Sequence, residues 1–283
     1  MNNKNFIKLL LQNNAKLGNL PDKDLAHQFI DDIFQFLFIP KTGINQKETD
    51  LEKGMYALKS HLATLIYDVV NDGSKSQTQA ESFFEALPDI YATLQEDAAA
   101  FVANDPAAYN VSQILQAYPG FYAIAVYRIS NQLRKQDIRG LPRIFAEYAH
   151  SKTGIDIHPY ATIGKNFFID HGTGVVIGET SVIGNNVRIY QGVTIGAFNS
   201  AKGKKKTKRH PTIEDNVIIY SGATILGGDT VVGQDSVIGG NAWITFSVPA
   251  NSLVYNQSEV ADKESFSYKD SVSKILQSSK KSK

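Results

Sequence analysis

Ile177-Gly178-Glu179-Thr180-Ser181-Val182-Ile183-Gly184-Asn185-Asn186-Val187-Arg188-Ile189-Tyr190-Gln191-Gly192-Val193-Thr194-Ile195-Gly196 places an isoleucine at every sixth position. Working outward, Ile157, Ile163 and Ile169 precede this run, and Ile213, Ile219, Leu226, Val232, Ile238 and Ile244 follow it. Two extra residues stand between Ile169 and Ile177, and one further slip falls between Ile219 and Leu226. Glycine follows the aliphatic at Gly164, Gly178, Gly184, Gly196, Gly227, Gly233 and Gly239. A period of six fits neither the 3.6 of a helix nor the 2 of a simple strand. It fits a coil of roughly 18 residues with three flat faces, each turning one aliphatic inward, which is a parallel β-helix. One coil cannot bury its own aliphatics, so stacking is cumulative and the ends need caps.

Before Gly154 the pattern is helical. The stripe Leu51, Met55, Leu58, Leu62, Leu65, Ile66 and Val69 recurs mainly at three and four. Similar spacing predicts helices over about 23–38, 79–102, 110–117, 121–135 and 140–151. Asp105-Pro106 reads as a helix N-cap with proline at the first helical position. The expected fold class is therefore α+β: an N-terminal α-helical domain (1–154), then a left-handed parallel β-helix of hexapeptide repeats (155–258), then a polar tail (259–283). Between Ala197 and Thr212 the period vanishes into a lysine-rich stretch, Lys202 to Lys208, which is expected to project as a loop. The serine- and lysine-rich tail is expected to be disordered beyond residue 275.

Composition excludes several classes. The 283 residues are 42% hydrophobic and 20% charged with a formal charge of +1, which gives no general affinity for nucleic acid or membrane. The apolar run Phe6 to Leu11 is too short and interrupted for an export signal, and no stretch approaches a membrane span, so a cytoplasmic protein is expected. With no cysteine, there is no disulfide, thiolate ligand or thiol nucleophile.

Four histidines lie in or near the repeats: His150, His158, His171 and His210. His171 falls at the two-residue insertion, in Asp170-His171-Gly172-Thr173-Gly174. An insertion that breaks the period without enlarging the core suggests a side chain being aimed. Asp156, one short turn earlier, is its candidate partner; such pairing fixes a histidine tautomer and supports the imidazolium, making His171 a general base. The alternative is a corner histidine bonded to backbone. Arg209 offers a bidentate seat for a small carboxylate, or belongs to a solvated basic loop; a third reading has the lysines before it meet the phosphates of a large anionic cofactor. Asp105 and Asp170 are candidate partners for an amino group, while His158 reads as structural. A zinc trio of His158, His171 and His210 lacks the close His-x4-His pair of metal-dependent β-helix enzymes, and no metal is expected.

The motifs Asp105-Pro106-Ala107, Gly120-Phe121 with Tyr127-Arg128, Gly154-Ile155-Asp156-Ile157-His158-Pro159, Asp170 through Thr180, Gly192 through Gly196 and Arg209-His210-Pro211 together resemble the bacterial serine O-acetyltransferases of cysteine biosynthesis. The resemblance runs in order over about residues 100–250. It implies acetyl transfer from acetyl-CoA to L-serine in a ternary complex, with His171 the base oriented by Asp156, and Asp105, Asp170, Arg209 and His210 holding the acceptor. It also implies a homotrimer or dimer of trimers with each site completed by two subunits, CoA along the groove between β-helices near Gly196, Tyr220, Ser221 and Gly239, and L-cysteine as feedback inhibitor. The final Lys281-Ser282-Lys283 departs from the terminal isoleucine that many members insert into cysteine synthase, so that complex is not expected. An acetyltransferase acting on homoserine, a sugar or another small hydroxylated acceptor is the rival reading, since one methylene gives only modest discrimination.

Overall fold

The computed structural model describes residues 1–16, 20–39, 47–198 and 208–256. Seven helices come first: α1 (Asn3–Asn14), α2 (Lys23–Phe38), α3 (Glu48–Val70), α4 (Gly73–Asn104), α5 (Val111–Ala117), α6 (Pro119–Lys135) and α7 (Leu141–Thr153). Among the described residues every later element is a short strand: β1 (Asp156–Ile157), β2 (Thr162–Ile163), β3 (Phe168–Ile169), β4 (Val176–Ile177), β5 (Val182–Ile183), β6 (Arg188–Ile189), β7 (Thr194–Gly196), β8 (Thr212–Ile213), β9 (Ile218–Ile219), β10 (Thr224–Leu226), β11 (Val231–Val232), β12 (Val237–Ile238), β13 (Trp243–Ile244) and β14 (Leu253–Val254).

The strands form three parallel sheets, β1-β4-β7-β10-β13, β2-β5-β8-β11 and β3-β6-β9-β12-β14, which are the first, second and third faces of a left-handed β-helix. Ile157, Ile177, Ile195, Ile225 and Ile244 stack in register down the first face, and Ile169, Ile189, Ile219 and Ile238 down the third. Each is at most 3% exposed, and each such burial is worth roughly 1.5–3 kcal/mol. The inward residue of β10 is Ile225, not Leu226, whose partner is Gly196. The period therefore runs unbroken from Ile219 to Ile225, and the extra residue falls after it. Gly227, at φ +107, takes up that residue in the following turn.

The corner between the second and third faces repeats one solution. Asn166, Asn186, Asn216 and Asp235 all adopt positive φ, which short polar side chains tolerate best after glycine. Their side chains bond down the corner, Asn166 donating to Asn186 at 2.8 Å, Asn186 to Asn216 at 2.9 Å and Asn216 to Asp235 at 2.9 Å.

The isoleucine column continues into the helices, in one cluster with Phe101, Phe121 and Ile124. Polar contacts fasten the join. Asp97 on α4 pairs with Arg128 on α6 and accepts the Phe167 N–H at 3.0 Å, while Arg128 also donates to the Gly164 carbonyl at 2.8 Å. Tyr127 donates to the Ala161 carbonyl at 2.7 Å. Gly120 near the start of α6 lies against the Ile169 carbonyl, where any side chain would collide. A second core joins α2, α3, α4, α6 and α7. The apolar run near the N-terminus is helix α1, which buries none of its residues. The lysines from 202 to 207 and the tail 259–283, including its final tripeptide, lie outside the described residues.

Candidate active site

The sequence-predicted residues divide between two corners that flank the first face. His171 stands on the corner between the third and first faces, after β3, with Asp170 beside it. Its φ of 56° is left-handed, a conformation that costs a residue with a Cβ roughly 1–2 kcal/mol and throws the ring outward. The side chain is 73% exposed, with Nε2 3.7 Å from Asp170 Oδ2.

Asp105 arrives at the same corner from the helical side. It is the C-cap of α4 and not the N-cap of a helix; Asn110 caps α5 instead. Its Oδ1 accepts the Ala107 N–H at 2.8 Å and its Oδ2 accepts the Tyr118 hydroxyl at 2.6 Å. That hydrogen bond, then burial, then the negative charges of Asp105 and Asp170, push the Tyr118 phenol up to about 12. Burial, the neighbouring Tyr220 phenol and Asp170 likewise raise Tyr190, with a smaller push from Asp105. Tyr118 and Tyr190 thus feel the negative charge of both Asp105 and Asp170, and such a pair of carboxylates suits a cationic amine. Tyr190 stacks on Tyr220 at 5.1 Å, continuing the corner toward Ser221 and Gly239.

The other corner joins the first face to the second. Here Arg209 and His210 return from the lysine-rich stretch and stack over Glu179 and Thr180, Arg209 Nη2 pairing with Glu179. His210 is 7% exposed, and its Nδ1 accepts the Thr180 main-chain N–H at 3.0 Å. Burial and then the Arg209 charge hold His210 down to about 4. His158 belongs to this corner too; its Nδ1 accepts the Tyr160 N–H at 3.2 Å, and burial followed by Arg143 lowers it to about 4. Gly196 ends β7 on this side, away from Tyr220, Ser221 and Gly239.

Within one chain Asp156 and His171 are not brought into an ion pair. Asp156 pairs in register with Val176 on the first face, and its carboxylate lies 3.7 Å from Arg143 Nη1. The histidines do not gather either, His171 being on the opposite corner from His158 and His210. Glu147, His150 and Asp156 do converge, but Arg143 is paired with Glu147 and already supplies their positive charge. Sequence reasoning passed over Tyr118, Glu179 and Thr180 as site residues. The last two were findable: with the excursion removed, Glu179-Thr180 falls one coil beneath Arg209-His210, an acid under a base.

Among the described residues no helix is long and apolar enough to cross a membrane. Residues 41–126 match the family model for the N-terminal region of serine acetyltransferase. A plasmid serine acetyltransferase of Synechococcus elongatus is 52% identical over 191 residues, which are 66% of this chain and 59% of that protein, so the match spans under two-thirds of its length. The Helicobacter pylori serine acetyltransferase is 48% identical over 124 residues, 44% of this chain and 70% of its own. The structure of Entamoeba histolytica serine acetyltransferase 1 in complex with L-cysteine superposes with a TM-score of 0.74 at 38% identity, covering 85% of this chain and 88% of that one. By these likenesses over both halves, the chain belongs to the serine acetyltransferase family.

Proposed function

We propose that the protein transfers the acetyl group of acetyl-CoA to the hydroxyl of L-serine, giving O-acetyl-L-serine and CoA, the first step of cysteine biosynthesis from serine. The observation that carries this reading is the exposed, left-handed His171 with Asp170 beside it, next to a Tyr118 that binds Asp105 and feels the charge of both carboxylates. The two carboxylates receive the serine ammonium, and Arg209 with His210 receives the carboxylate. His171 takes the hydroxyl proton as the oxygen attacks the thioester carbonyl. The tetrahedral adduct then collapses: the carbon–sulfur bond breaks, and the imidazolium returns its proton to the departing CoA sulfur. The chain has no cysteine, so direct transfer needs no acetyl-thiol enzyme intermediate.

His171 and Arg209 stand on different edges of the β-helix, the first face between them, so a serine spanning both needs a second chain. A homotrimer, alone or paired with another, supplies it, the His171 corner of one chain meeting the Arg209 corner of its neighbour. Asp156 would then act as the orienting acid only in that assembled site. Acetyl-CoA would lie along the groove between chains, which also accounts for Gly196 falling on one corner and Tyr220, Ser221 and Gly239 on the other. L-Cysteine carries the same ammonium and carboxylate as serine and is proposed to compete at this seat as a feedback inhibitor. The acetyl-CoA requirement is the reason for a cytoplasmic location.

Release of CoA thiol from acetyl-CoA tests the reaction, with L-serine and L-homoserine as acceptors and His171→Ala as control. A serine-dependent rate that falls by about 100-fold or more in His171→Ala is expected. Release with homoserine but not serine would overturn the acceptor, and no release with either would overturn the reaction.

A further inference from the structure

The corner beneath Arg209 and His210 contains more hydrogen bonding than holding two coils together requires. Thr180 Oγ1 accepts two successive main-chain N–H groups, from Arg209 at 2.9 Å and His210 at 3.1 Å. The Thr180 main-chain N–H donates to His210 Nδ1 at 3.0 Å, and its Oγ1 lies 2.8 Å from the same nitrogen. From outside, Lys208 Nζ closes the corner on the carbonyls of Thr180 at 3.2 Å and His210 at 2.7 Å. The His210 ring lies against Gly178, where an added Cβ would run into Cδ2 and Nε2.

A main-chain N–H can only donate, so Nδ1 is the accepting nitrogen and the ring proton of a neutral imidazole sits on Nε2. We infer that Thr180 is a positioning residue for the acceptor arm: it sets the main-chain course of Arg209 and His210 as they leave the excursion, and it fixes His210 as an Nε2–H donor. His210 then hydrogen-bonds an oxygen of the acceptor and is not a second base. Burial and the cations Arg209 and Lys208, with His158 nearby, keep it uncharged, opposed by Glu179. Glu179 meanwhile orients the Arg209 guanidinium through their ion pair. One residue pair of the lower coil thus presets both halves of a carboxylate seat.

The inference rests on the serine-acetylating reading above, and the experiment separates the two. Thr180→Val keeps the branched side chain and the main-chain donor but deletes Oγ1. Its expected effect is a rise of about tenfold in the KM for L-serine, with kcat and the KM for acetyl-CoA within about twofold of wild type; Thr180→Ser restores the serine KM. In imidazole 15N NMR of the full-length wild type, His210 should carry its proton on Nε2. Absence of serine-dependent release from the wild-type chain would sink the reading itself, while the NMR arm would still decide the tautomer. An active wild type with an unchanged serine KM in Thr180→Val sinks the role of Thr180. So does a fall in kcat and thermal stability with both KM values raised alike, a failure of Thr180→Ser to restore the KM for L-serine, or a proton found on Nδ1.

Discussion

Tyr118 fixes the Asp105 carboxylate, which the proposed function assigns to the substrate amine. The residue lies between two helices, as C-cap of α5 and N-cap of α6, with its ring edge-on to Phe101 at 5.9 Å. Its hydroxyl takes one Asp105 oxygen while the Ala107 N–H takes the other, so the carboxylate cannot rotate freely. With the phenol pushed up to about 12, Tyr118 remains a donor throughout the physiological range. Tyr118→Phe keeps the ring packing and removes only this charge-assisted bond. The expected result is a rise of about 3–10-fold in the KM for L-serine, with kcat little changed, read by steady-state kinetics; an unchanged KM would mean that Asp105 needs no such support. Nothing in the sequence pairs residues 105 and 118. Asp-Pro fits a helix start, and only the observed turn after Pro106, with Asn110 capping the next helix, shows the carboxylate turned toward Ala107 and Tyr118.

At the scale of elements, one buried ion pair helps fasten the join between helices and β-helix. The Asp97 side chain is fully buried and that of Arg128 is 10% exposed; between them they also bond the Phe167 N–H and the Gly164 carbonyl. Removing one partner leaves the other charge buried and unpaired, so Asp97→Ala should lower unfolding free energy by about 3–5 kcal/mol. Replacing both, as in Asp97→Leu with Arg128→Met, should recover part of it; urea denaturation of the three chains checks this, and a loss below about 1 kcal/mol in Asp97→Ala would show that the pair does not fasten the join. Neither partner's role could be read from sequence, because the contact depends on how α4 and α6 cross the first coil. The repeats were legible because each inward aliphatic imposes its own six-residue interval. The one misreading within the repeats, Leu226 for Ile225, arose where two aliphatics are adjacent and a glycine follows the wrong one. The helices were legible from their apolar stripes except α1, whose exposed leucines have no described partner to explain them.

For the whole molecule, the decisive fact is that the acid–histidine corner and the arginine–histidine corner flank the same face of the β-helix. Sequence order hides this, since His171 and Arg209 look like successive landmarks on one path; only the three-faced coil puts them on separate edges. If neighbouring chains complete each other's sites, two inactive variants should complement. His171→Ala chains retain the Arg209 edge, and Arg209→Ala chains retain the His171 edge. Co-refolded in equal amounts, a ring drawing each edge independently gives both intact edges to about one site in four, so about a quarter of wild-type activity should return. Each variant refolded alone should stay inactive, and the mixture should elute with the wild-type oligomer on size exclusion. Oligomers that form at wild-type size yet recover no activity would mean that one chain supplies both edges of its own site, and the separation of the corners would then have to be bridged by movement within that chain.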